Sequence, residues 1–131
     1  MGEGKQSGRL IAIGDIHGHN LALQALLSQI SPGKDDVIVT LGDYINRGPD
    51  SRGVIVTLLE LQEQCQLIPI LGNHEEMMLD SRNDYHAEQR WRFQGGEAAL
   101  QSYGDNAGVE QIPQSHWHFL SQCRSYYETE H

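Results

Sequence analysis

"DVIVTLGDYINRGPDS", residues 36–51, joins an apolar run to a glycine-flanked turn that carries Asp43, Asn46 and Arg47. The run is short, rich in β-branched residues and stopped by Gly42, the pattern of a buried strand over 36–42. Glycine and the Pro49-Asp50 pair suffice to turn the chain, which needs neither the acid, the amide nor the arginine for that purpose. By itself the stretch reads equally well as an ordinary strand-to-helix loop and as a loop loaded for chemistry. Its neighbours decide.

Working outward, "RLIAIG" (9–14) is a second short apolar run stopped by glycine, and it reads as a central strand covered on both faces. "NLALQALLSQI" (20–30) places Leu23, Leu26, Leu27 and Ile30 on one helical face, and "SPGKDD" closes that helix in a turn. Beyond the loaded turn, Val54, Ile55, Leu58, Leu61 and Cys65 keep helical spacing up to "QLIPILG" (66–72), a third strand in which Pro69 marks an edge or a bulge. Three β-to-α units in succession predict an α/β fold with a largely parallel sheet, right-handed crossovers and functional loops at the carboxyl ends of the strands.

Composition excludes several classes. The chain has 131 residues, 38% of them hydrophobic and 21% charged, values of one ordinary globular domain. The polar, glycine-rich start reads as a loose arm over 1–8 and not as a signal peptide, leaving one domain over 9–131. No run approaches the roughly 18 apolar residues of a membrane span. Cys65 and Cys123 are too few for a disulfide framework, so a reducing cytoplasm is expected. A net charge of −9 argues against a nucleic-acid duplex or an anionic membrane as partner. It leaves phosphorylated substrates open, because bound divalent cations invert the potential of an acidic site.

The three strand ends carry "GDIHGH" (14–19), "GDYINRG" (42–48) and "GNHE" (72–75). Each has a glycine that permits close approach, then Asp or Asn, then His or Arg. Asp15, His17, Asp43 and Asn73 are donors suited to divalent metals such as Mn²⁺, Fe²⁺ or Zn²⁺. One bridging carboxylate can serve two ions, as in two-metal hydrolases. Arg47 suits a phosphoryl group, which it can grip with two parallel hydrogen bonds.

The ordered set GD-x-H-G, GD-x-x-x-R-G and GNHE resembles the phosphoprotein phosphatase family of calcineurin-like metallophosphoesterases. That family includes serine/threonine protein phosphatases and symmetrical diadenosine tetraphosphatases. The likeness is strong over residues 9 to about 80, and weaker through "WRFQGGEAALQSYG" (91–104). It implies a metallophosphoesterase sandwich, two divalent metal ions with manganese foremost, and hydrolysis of phosphate monoesters by in-line attack of metal-bound hydroxide. Carried over by position, it makes Asp15 and His17 ligands of the first ion, Asp43 the bridge and Asn73 a ligand of the second. Arg47 becomes the phosphate clamp and His74 the general acid.

The sequence departs from the family at Asn46, where protein phosphatases carry an Asp that pairs with the histidine equivalent to His74. The amide oxygen of Asn46 is expected to accept the same hydrogen bond without its charge. The family's later histidine ligands, from "VHAG"-like and "GH"-like stretches, do not occur in these 131 residues. "SYYETEH" (125–131) resembles the start of the strand before the first of them. The resemblance therefore implies an amino-terminal portion that lacks much of the second sheet, with a bare sheet face prone to self-association. The substrate implied is a phosphorylated protein, with a dinucleoside polyphosphate as the alternative. A non-catalytic module retaining the fold is a further alternative, and an unrelated α/β domain would not bring the three loops together.

Other residues have plainer readings. Glu75 either fixes the backbone around the site or is an exposed helix-start carboxylate. His19 is a capping or solvent residue, and His116 and His118 point to different sides of one helix. Met77 and Met78 face the core, while Trp91 and Phe93 pack a lid or turn, with stacking on a substrate as the alternative.

Overall fold

The computed structural model describes residues 8–128; most of the arm assigned to 1–8 and the end of "SYYETEH" lie outside them. The elements alternate as the periodicity requires. Strand β1 (Leu10–Ile13), helix α1 (Asn20–Ile30), strand β2 (Val37–Thr40), helix α2 (Ser51–Leu61) and strand β3 (Gln66–Pro69) come first. Helices α3 (Asn73–Asp80), α4 (Tyr85–Trp91), α5 (Glu97–Gln101) and α6 (Gln114–Ser121) follow. A π-turn over Arg92–Gly96 joins α4 to α5.

Among the described residues the sheet runs β1-β2-β3, all parallel, with Leu10 opposite Val37 and Val37 opposite Gln66. Sequential order places both crossover helices on one face, where α1 and α2 touch. Ile13 and Ile38 from the sheet, Leu23 from α1 and Val54, Ile55 and Leu58 from α2 share the core there with Trp117, Phe119 and Leu120 of α6. Every carboxyl end of a strand then lies on one rim.

β2 is the central strand. β1 is an edge strand, contrary to the expectation of cover on both faces, and its Leu10 is 57% exposed. The reason is topological: a sheet grown in one direction leaves its first strand outermost, and both helices lie on the other face. Leu41, on the same open face, is 55% exposed. In α1 the expected stripe is narrower than its spacing suggests, with Leu23 buried, Leu27 and Ile30 partly buried and Leu26 exposed.

Pro69 stands on the outer edge of β3. Ile70 N donates to Thr40 O of β2, so the neighbouring positions point away, where Pro69 O accepts from Arg124 N and Leu71 N donates to Arg124 O. The proline removes a donor only on that outer side. Arg124 pairs in parallel with Ile70 one residue before the stretch expected to begin a further strand, and the described part of that stretch, 125–128, is not itself strand.

The amino ends of the strands are fastened by Arg9 and Asp36. The Arg9 guanidinium donates to both oxygens of Asp36 (3.2 and 2.7 Å) and to Ile30 O (2.9 Å), while Gly33 N donates to Asp36 Oδ2 (2.9 Å). Hydrogen bonds from Arg9 and from the backbone of Gly33 and Arg9 hold the Asp36 carboxyl well below the usual carboxylate range. With the folded pKa depressed, this stabilisation is complete above about pH 4, the ordinary Asp value, and drains as pH falls through the folded pKa. Asp36→Asn should lower Tm by several degrees at pH 7 and flatten its fall below pH 4. Parallel Tm-against-pH curves for the two proteins would contradict this.

Candidate active site

The loop after β1 and the loop after β2 are laced by backbone bonds. His17 N donates to Asp43 O (2.9 Å), Gly18 N to Tyr44 O (2.7 Å), Gly48 N to His17 O (2.9 Å) and Asp50 N to Gly18 O (2.9 Å). The lacing holds an unusual conformation. Among the described residues, seven non-glycine residues have positive φ, and five of them are Asp15, His17, Asp43, Asn46 and Arg47. Each such residue costs about 1–3 kcal/mol and persists only where its surroundings over-determine it. Strain gathered on the residues singled out for chemistry is a mark of a site.

The third loop is joined by Glu75. Its carboxylate is fully buried and accepts from Asp43 N (2.7 Å) and Gly72 N (3.0 Å) through Oε1, and from Tyr44 N (2.7 Å) and Ile45 N (3.3 Å) through Oε2. This decides between the two readings of Glu75: it fixes the backbone. Burial raises its pKa, and the amides from Asp43, Tyr44 and Gly72 oppose the rise. Gly42, at φ +98°, and Gly72 pass back to back; a Cβ on Gly72 would collide with Asp43 N and lie 2.5 Å from its carboxylate. Tyr44 anchors the same loop from beneath, its phenol 2.6 Å from Ile70 O and 2.8 Å from Thr40 Oγ1.

The seven site residues predicted from sequence lie on the rim that these bonds hold together, five on the first two loops and Asn73 and His74 in the first turn of α3. His17 and His74 meet edge to face, ring centroids 5.3 Å apart. His74 N donates to Asp43 Oδ1 (3.2 Å). His17 Nδ1 faces Ile45 O at 3.2 Å; a carbonyl only accepts, so Nδ1 carries the proton and Nε2 keeps its lone pair for a metal. Asp15, Asn73 and Arg47 are exposed and Asp43 is half-buried. In kind, these donors fit a divalent cation. In number they fall short, for among the described residues no three His, Cys, Asp or Glu side chains are gathered closely enough to hold an ion.

Asn46 differs from expectation in the direction of its bond. Its Nδ2 lies 2.7 Å from His74 Nδ1, and an amide nitrogen only donates, so Nδ1 is the acceptor and the ring proton sits on Nε2. Asn46 Oδ1, expected to face the ring, is buried without a hydrogen-bond partner. Burial lowers the His74 pKa, helped by the nearby His17 and Arg47 and opposed by Asp43.

The remaining assignments separate cleanly. His19 is exposed at the start of α1 and makes no side-chain cap bond. His116 is buried against Tyr103 (2.7 Å), while His118 is exposed. Met78 is in the core, with Met77 packed against it. Trp91 is fully buried but Phe93 is 89% exposed, so the two do not form one packed unit. Two apart on a helical backbone, they point to opposite sides, and the kink of the π-turn falls after Phe93, at Gln94 and Gly95. Its Gly95, at φ +111°, is packed so closely that a Cβ would lie 3.1 Å from Asn46 Cβ; "QGG" was its only sequence signal.

Glu75→Gln should leave two of the four amides facing an NH₂ group. At roughly 1–3 kcal/mol per unsatisfied buried donor, it should destabilise the chain by about 2–6 kcal/mol in denaturant unfolding. A loss below about 0.5 kcal/mol, the range of an ordinary surface substitution, would contradict the clamp. A second expectation concerns the proton: ¹⁵N NMR should find His74 as the Nε2–H tautomer, and Asn46→Asp should move the proton to Nδ1. An Nδ1–H tautomer in the unaltered chain would overturn the assigned bond.

Residues 8–124 match the calcineurin-like phosphoesterase family. Serine/threonine-protein phosphatase 1 of Salmonella typhimurium is 33% identical over 96 residues, 72% of this chain and 42% of its own length. The symmetrical bis(5′-nucleosyl)-tetraphosphatase of Acidovorax sp. is 42% identical over 72 residues, 53% of this chain and 25% of its own. The chain thus spans less than half the length of these relatives. A solved metallophosphoesterase from Sphaerobacter thermophilus shares the fold, with a TM-score of 0.55 at 22% identity over 87% of this chain and 40% of that one. Parallel strands delivering GD-x-H-G, GD-x-x-x-R-G and GNHE to one rim, over a match that runs almost the length of the chain, make this chain a member of the calcineurin-like phosphoesterase family.

Proposed function

We propose that these residues form part of a cytoplasmic, metal-dependent phosphoesterase site whose substrate is a phosphorylated serine or threonine in a protein. One observation carries the reading: three strand-end loops put Arg47, His17 and the Asn46–His74 pair on a single strained rim. Divalent cations, manganese foremost, held by Asp15, His17, Asp43 and Asn73, would neutralise phosphoryl charge and make water a stronger nucleophile. The chain's own groups do the rest. Arg47 is exposed and can grip two phosphoryl oxygens in parallel. His74 presents Nε2–H to the departing oxygen while Asn46 fixes the ring through Nδ1. Glu75 keeps the loop of Asp43 in register with His74.

A second substrate reading, a dinucleoside polyphosphate, draws on Asn46. An Asp at that position would support a charged imidazole, the stronger acid an alkoxide needs, whereas phosphate leaves without that help. The relative at 42% identity is a tetraphosphatase by name.

In the protein that contains this sequence, Mn²⁺ should support p-nitrophenyl phosphate hydrolysis that EDTA abolishes. Arg47→Ala should lower kcat/KM by about 10²-fold, the usual cost of one oxyanion donor, with little recovery in Arg47→Lys. The 131-residue chain alone should hold at most one Mn²⁺ weakly in equilibrium dialysis and show little turnover. Metal-independent hydrolysis, or an Arg47→Ala protein of undiminished rate, would refute the proposal. Asn46→Asp should raise kcat for phosphoserine peptides several-fold and scarcely change that for the aryl phosphate; equal effects would uncouple position 46 from a general acid.

A further inference from the structure

A groove of about 900 Å³ opens beside Arg47, bounded by Pro49, Ala98, Gln101, Asp105 and Asn106. That is near the upper end of the roughly 300–1,000 Å³ range of ligand pockets, far more room than one phosphoryl group needs. Its walls are fixed to the catalytic rim. Ala98 and Gln101, three apart on α5, share a helical face. The end of α5 is pinned to the start of α2, where Arg52 N donates to Ser102 Oγ (2.9 Å). Asn106, at φ +60°, turns the chain back so that Asp105 and Asn106 close the groove.

The lining selects a chemistry. Arg47 is its cation and Asp105 its anion, with two side-chain amides and two small apolar residues besides. Such a groove suits a ligand with a phosphoryl group at one end, a positive charge at the other and alternating donors and acceptors between. It suits a dinucleoside polyphosphate poorly, since no aromatic ring among the lining residues offers a stacking surface and Asp105 repels further phosphates. We propose that the groove holds the peptide on one side of a phosphorylated serine or threonine, with Asp105 receiving a basic side chain of that peptide. The proposal rests on the phosphoesterase reading given above and names its substrate class.

The test is an NMR titration of the 131-residue chain in EDTA, so that metal plays no part. Three probes are compared: a phosphoserine peptide flanked on both sides by lysines, the same peptide flanked by glutamates, and diadenosine tetraphosphate. The lysine peptide should shift the Gln101, Asp105 and Asn106 resonances and bind about two- to five-fold more tightly than the glutamate peptide, the worth of one exposed ion pair. Asp105→Asn should erase that preference and Asp105→Lys should reverse it. Equal affinities, a preference that persists in Asp105→Asn, unmoved groove resonances, or tighter binding of the dinucleotide through those resonances would each overturn the proposal. Mn²⁺-dependent p-nitrophenyl phosphate hydrolysis by the longer protein that contains this sequence separates the two levels. Failed hydrolysis with charge selection intact removes the phosphoesterase reading and leaves a phosphopeptide site. Hydrolysis without charge selection removes the groove alone.

Discussion

A carboxylate buried with no cation beside it among the described residues governs the rim. Glu75 loses its hydration entirely, a cost an interior tolerates only when every lone pair is used. Four backbone amides from two loops meet that demand. The same bonds that make the charge tolerable force the loop after β2 against the start of α3. Gly42 and Gly72 follow from this approach, because only residues without side chains let the two backbones pass so closely. The positions of Asp43 and His74 are consequences of the clamp.

The clamp explains how so much strain survives in one place. Asp43, Asn46 and Arg47 are left-handed within a single turn, and Asp15 and His17 are left-handed opposite them. None of these conformations is favourable locally, and Arg47 has no intrinsic tolerance for its φ. The backbone lacing between loops one and two, the Glu75 bonds to loop two and the buried Tyr44 phenol offset the cost. The parallel sheet makes this possible by ending all its strands on the same side. Asp36 and Arg9 secure the opposite end, so the rim is built on strands held at both termini.

What could be read in the sequence was whatever depends on local pattern. Apolar runs stopped by glycine located the strands, and helical spacing located α1 and α2. The three motifs located the rim, because a parallel sheet leaves no other place for them. What escaped depends on contacts between distant segments. β1 has the composition of a covered strand, and only the direction of sheet growth shows that Leu10 faces outward. Glu75 looks like any carboxylate in the first turn of a helix until the loop 31 residues before it folds onto it. The bond of Asn46 was legible as a partnership with His74 and not in its polarity, since an amide presents a donor and an acceptor of equal size.

The rim and the adjoining groove have different origins, and that division bears on how one chemistry serves different substrates. Metal donors, Arg47 and His74 stand on two loops and a helix start whose shape is dictated by the sheet and by Glu75, so they can vary little. The groove's outer wall comes from α5 and the turn after it, which the sheet does not constrain. The two meet at the π-turn. There Arg92 bridges Glu88 of α4 and Glu97 of α5 (2.9 and 2.8 Å), setting the angle between the helices, while Gly95 presses on Asn46. A change in that turn would therefore move the groove wall and the partner of His74 together. Substitutions at Asp105 or Gln101, farther along the wall, would alter what is bound and leave the catalytic rim in place.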